Sequence, residues 1–166
     1  MATVARGVIY IHSAKQAVCP HLEWAIGRAL GTASAVTWQP QEALPGTQRA
    51  ELYWEAKPGS GAHIASALRG WDDVRFEVTE DPGLGRDGGR WMHTPSLGTF
   101  YAQTDTIGNM VIPEDRVRYA IEIAGDDLGE LRRELAVALG SAWDEELETF
   151  RHASDNAAVV WLHKTG

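Results

Sequence analysis

The sequence predicts an α+β fold. A β-α-β-β-α-β run of ferredoxin-like, split-βαβ order over residues 7–79 is followed by an added β-hairpin, C-terminal helices and a final strand, all in one domain of residues 1–166. Three observations carry this expectation. Val8, Ile9, Tyr10 and Ile11 form a run apolar on both faces, as a central strand covered on two sides requires. From Val18 onward, Leu22, Ala25, Ile26, Ala29 and Leu30 recur at the spacing of a helix laid on a core. Residues 49–55 alternate, with Ala50, Leu52 and Trp54 on one face and Glu51, Tyr53 and Glu55 on the other.

The first strand is expected to end at His12 and Ser13. Pro20 suits the first helical position, which makes Cys19 the expected N-cap and Gly31 the residue past the helix end. Residues 35–38 read as a second strand, and residues 39–48, with two prolines and a glycine, as a hairpin loop. Ser60 caps a short helix through Ile64, Ala67 and Leu68 that stops at Gly70; Val74, Phe76 and Val78 then alternate with Arg75 and Glu77 as a strand. Residues 81–95 hold four glycines and two prolines and read as a mobile surface loop. Residues 97–103 and 110–112 flank a Gly108-Asn109 turn. Pro113 opens a helix with Val117, Ala120, Ile121 and Ala124 inward. Asp126 or Asp127 caps the next, with Leu128, Leu131, Leu135 and Leu139 inward. Trp143, Leu147 and Phe150 make a further helical stripe, and residues 157–162 a last strand. Since the first strand is apolar on both faces, the helices of 113–150 or a second subunit must cover the side that the first two helices leave open.

Composition excludes several classes of function. With 15 Lys and Arg against 23 Asp and Glu, the net charge of −8 and the lack of any basic run deprive nucleic-acid binding of its electrostatic source. One cysteine permits no internal disulfide, and no apolar stretch has the length of a signal peptide or a membrane span, so a cytoplasmic protein is expected.

The reactive side chains of the N-terminal half gather where the first strand should hand over to the first helix. His12, Ser13, Lys15, Cys19 and His21, with Arg69 beyond the second helix, are the candidate ligand-binding residues. Free N–H groups at a helix start, a lysine and a serine suit a phosphate or carboxylate. Cys19 with His21 or His12 follows the logic of a cysteine nucleophile and its base, and His12, Cys19 and His21 could ligate zinc, although their spacing fits no standard pattern. The structural alternative, histidines that satisfy buried polar groups and a small buried cysteine, carries the greater weight. No catalytic residue, metal or cofactor is expected. Arg90, Trp91, Met92 and His93 form a second candidate, a partner-binding patch in the glycine-rich loop, because a tryptophan beside an arginine is the composition of an interface anchor. Asp144, Glu145, Glu146 and Glu148 read as a solvated helical face.

The segments RGVIYIHSA, CPHLEWAIGRALG, ALRGWDDVRFEVTEDP, IPEDRVR and SAWDEELETFRHASDNAAVVWLH resemble a family of actinobacterial proteins of about this length, over nearly the whole chain. That family carries no assigned activity, cofactor or catalytic residue, and the resemblance implies a setting near central carbon or fatty-acid metabolism. Together these readings favour a non-enzymatic accessory or regulatory protein that acts through protein contacts, with a homodimer possible. The alternative is a small enzyme or anionic-ligand domain using the junction of His12, Ser13, Cys19 and His21.

Overall fold

The computed structural model describes residues 3–153. Their strands form one seven-stranded antiparallel sheet, which five helices accompany. Its spine is β1, Ala5–Lys15, whose apolar run predicts burial on both sides; it pairs with β3, Thr47–Ala56, and with β4, Arg75–Glu80. The remaining strands are β2, Gln39–Pro40; β5, Gly88–Thr94; β6, Gly98–Thr104; and β7, Met110–Val111. The strand order is β2-β3-β1-β4-β5-β6-β7.

Alternation along the strands sorts the side chains onto two faces. Ile9, Ile11, Trp54, Phe76 and Val78 meet α1, Cys19–Leu30, and α2, Ser60–Leu68, through Leu22, Ile26, Ile64 and Leu68, and this cluster is the main core. The opposite face bears Tyr10, His12, Glu77 and Met92 and is crossed by α5, Ser141–Arg151, whose buried Leu147 and Arg151 point into it. Between β7 and α5 lie α3, Glu114–Ala124, and α4, Leu128–Ala138, packed chiefly against each other. Gly31 ends α1 with φ 73°, as expected for a left-handed cap, and Asp127 caps α4 by accepting from Glu130 N.

Several expectations need correction. His12 and Ser13 do not end the first strand, because β1 runs on to Lys15 across an irregularity after Ile11. Residues 35–38 are not a strand: Trp38 donates its indole N–H to Glu23 of α1 at 2.6 Å, and pairing is confined to Gln39 and Pro40. The N-cap of α1 is Val18, so Cys19 is already helical, and its thiol donates to the Lys15 carbonyl at 3.5 Å. Ser60 lies inside α2, with its hydroxyl on the Lys57 carbonyl, and the helix ends at Leu68 rather than Gly70.

The largest correction concerns residues 81–95, of which 88–94 are not a mobile loop but strand β5, paired on both sides. Gly88 and Gly89 serve close packing. A Cβ on Gly88 would meet Thr104 Oγ1 at 2.4 Å, and one on Gly89 would meet the Trp91 ring at 2.8 Å. The inward leucine stripe expected for α4 forms only in part: Leu131 and Leu135 are half-buried, Leu128 and Leu139 are exposed, and no residue of the helix is fully buried. Ile121 of α3 is exposed as well, leaving Ala120 and Ala124 as that helix's buried contacts. The expected last strand, 157–162, lies outside the described residues. No described helix is long and apolar enough to cross a membrane.

Candidate functional site

The junction residues do not converge. His12 faces α5, whereas Cys19 lies in the core beneath α1 on the other side of the sheet, so no cysteine–histidine pair or zinc set forms between them. Burial, and then the charge of Glu23, push the Cys19 thiol pKa up, the reverse of what a nucleophile needs. Ser13 is buried and accepts from Arg75 Nη1 at 3.3 Å; Lys15 pairs with Asp73; His21 and Arg69 are exposed. Among the described residues, no three His, Cys, Asp or Glu side chains are grouped to hold a metal.

The second candidate also disperses. The Trp91 ring packs between Gly61 of α2, where a Cβ would meet it at 2.8 Å, and Tyr101 of β6, with ring centroids 5.0 Å apart. Met92 is fully buried. His93 stacks on Phe76 at 5.0 Å and shares a 2.8 Å hydrogen bond with Thr99, and burial holds its imidazole pKa down. Only Arg90 of this group enters a charged constellation.

That constellation centres on Glu77. Its Oε2 takes His12 Nε2 at 2.6 Å and Arg151 Nε at 3.0 Å; its Oε1 takes Arg90 Nη2 at 3.2 Å and also Arg151 Nη2. Asp144 Oδ1 accepts from Arg90 at 3.2 Å and Arg151 at 3.1 Å, so one carboxylate from the sheet and one from α5 share two guanidinium groups. Gln41 closes the end of the cluster by donating to the His12 carbonyl at 2.7 Å and the Phe150 carbonyl at 3.3 Å. Tyr10 stacks parallel to His12, 6.0 Å away.

Burial alone would raise the pKa of Glu77, but the hydrogen bond and charge of His12, then those of Arg151, outweigh it and hold the carboxyl well below the ordinary carboxylate range. Side-chain exposures of 1 % for Glu77, 3 % for Arg151 and 5 % for His12 put these three out of solvent, while Arg90 and Asp144 form the cluster's solvent edge. A carboxylate fixed in its ionised form, with both oxygens occupied, neither gives nor takes a proton near neutrality. The cluster is a clamp that fastens α5 to β1, β4 and β5.

Sequence reading missed this clamp because Glu77 sits at an alternating position normally given to solvent, and Asp144 in a run of acids. One signal was present: Arg151 falls on the same helical stripe as Trp143 and Leu147, the stripe that must face the sheet.

The profile of a family described as Protein of unknown function (DUF3145) matches residues 8–164. The chain belongs to this family. No curated protein and no solved structure matches it. Every residue of the clamp falls inside the family's span, as do both α3 and α4.

Proposed function

We propose that this chain is a non-enzymatic protein-association domain, and that it associates through the α3–α4 hairpin with a second copy of itself. The observation behind this reading is α4, an amphipathic helix with no buried residue. Leu128, Val137 and Leu139, with Tyr119, Ile121 and Ile123 of α3, are between 43 % and 59 % exposed. A groove beside them, lined by Tyr101, Val111, Tyr119, Val137 and Trp143, extends the apolar surface to the β6–β7 hairpin. Exposed apolar side chains gathered beside a groove, as Tyr119 and Val137 are, mark interaction sites.

Charge favours a second copy as the occupant. Two bodies of net charge −8 repel, so they should meet where acid is balanced, and α4 carries Glu130 and Glu134 against Arg132 and Arg133. A two-fold axis that sets Glu130 of one copy against Arg133 of the other would pair opposite charges twice across the seam. Acting by contact, the chain would serve as an accessory or regulatory protein. The order β2-β3-β1-β4 with α1 and α2 supports a ferredoxin-like reading of the N-terminal core, and a lone buried cysteine supports a cytoplasmic one.

Light scattering coupled to size exclusion tests the association on the full chain at high micromolar concentration. A dimer is expected, and a monomer for Tyr119→Asp combined with Val137→Asp, with the thermal transition unchanged because both side chains, which line the same groove, are exposed. A wild-type monomer overturns the reading.

A further inference from the structure

On the other face of the molecule, α1 and α2 leave a groove between them whose lining is unlike the rest of the surface. Trp24 of α1 is 65 % exposed, a large apolar area on a helix whose remaining stripe is already in the core. The Arg28 guanidinium lies over its ring, 5.2 Å from the centroid. Across the groove stand half-buried Trp71, His63 on α2 and Lys57 just before α2, with small Ala67 at the floor. Acids outnumber bases by 23 to 15 in this chain, yet the lining holds three basic side chains and no acidic one. Neither Arg28, Lys57 nor His63 forms an ion pair with any described residue, although most other arginines of the chain do.

We propose that the groove between α1 and α2 is a docking site for an acidic, amphipathic segment of a partner protein. Its carboxylates would meet Arg28, Lys57 and His63, and its apolar face would lie on Trp24 and Trp71. Aromatic anchors with cationic neighbours are the composition of interface hot spots, and the local positive charge inside an acidic molecule steers such a segment to this groove and away from the remaining surface. A long polyanion fits less well. Arg28 and Lys57 cannot offset the repulsion that a nucleic acid meets from a body of net charge −8. The site is independent of α3 and α4, which do not line it.

Fluorescence anisotropy tests the proposal on the full chain. The probe is a short fluorescein-labelled peptide with glutamates on one helical face and leucines on the other; the control peptide carries lysines in place of the glutamates. Binding of the acidic peptide is expected, weakened by salt, with the lysine peptide at least about tenfold weaker. Lys57→Glu and Trp24→Ala should each lower affinity by roughly tenfold, and both exposed positions leave the thermal transition in place. Equal binding of the two peptides, no binding of either, or an affinity indifferent to Lys57→Glu overturns the proposal. Preferential binding of a labelled single-stranded RNA at physiological salt would overturn it as well.

Discussion

Arg151 and Glu77 are 74 residues apart in the chain and meet side by side, through two guanidinium nitrogens on two carboxylate oxygens, with both side chains almost wholly out of solvent. Such a pair is costly to break. Removing one member leaves a buried charge without its partner, whereas replacing both by apolar groups removes the desolvation cost as well. Arg151→Met or Glu77→Gln should therefore lower stability by about 3–5 kcal/mol in urea titrations. Glu77→Gln combined with Arg151→Met should lose clearly less than the sum of the two single changes. Additive losses would show that the two residues act separately.

Acid should act through the same carboxylate. In the unfolded chain Glu77 takes up its proton near the ordinary value of 4.5, but in the folded chain it stays ionised to well below that. Its contribution is therefore present above the unfolded value and is lost as pH falls toward the folded one, because unfolding then takes up a proton. Stability should decline from about pH 5 downward, and Glu77→Gln should flatten that decline. An unchanged acid limb in the variant would assign the effect to other groups.

Cys19 should be inert in the folded state. Burial raises its thiol pKa, so iodoacetamide at neutral pH should label it at the rate of global unfolding, and prior addition of urea should make labelling rapid. Rapid alkylation of native protein, abolished by His21→Ala, would contradict the placement of Cys19 in the core.

Gly7 tolerates no side chain. A Cβ there would lie 1.8 Å from the Thr79 carbonyl oxygen, which already accepts from Trp54 Nε1 at 3.1 Å, while Thr79 Oγ1 accepts from Val8 N at 3.0 Å. Gly7→Ala should cost about 3 kcal/mol or more, because backbone on the central strand must move to admit it. Circular dichroism melts measure the loss, and a drop in midpoint of only a degree or two would refute the close approach.

Single-stranded nucleic acid should not bind the exposed patch of the sheet. Tyr53 is 79 % exposed there, but Glu51 and Glu55 flank it on the same face. Anisotropy titration with a labelled oligonucleotide at physiological salt should stay flat, and micromolar binding would overturn the expectation.

Much of the architecture was legible because hydrophobic periodicity reports burial directly. The apolar run at Val8 to Ile11 announced a central strand, the stripe from Leu22 to Leu30 announced α1, and Gly31 and Asp127 marked a helix end and a helix start. The failures share one cause, which is that tertiary contacts overrode a local signal. Gly88 and Gly89 look like loop residues until Thr104 and Pro82 are placed against the first and the rings of Trp91 and Tyr101 against the second. Cys19 and His12 look adjacent until the strand turns His12 to one face of the sheet and α1 sets Cys19 against the other. The clamp lay beyond reach for the same reason: local sequence cannot tell that Glu77 and Arg151, so far apart, will be buried together.

That separation has a consequence for synthesis. During translation β1, β3 and β4 leave the ribosome long before α5, so for much of the chain's emergence the central carboxylate of Glu77 can have His12 and Arg90 near it but not Arg151. Tyr10, Met92 and the rest of that sheet face stay uncovered over the same interval. Closure of the sheet is thus a late, long-range event of the kind that slows folding, and the nascent chain is most open to aggregation, and most in need of a chaperone, just before its fifth helix arrives.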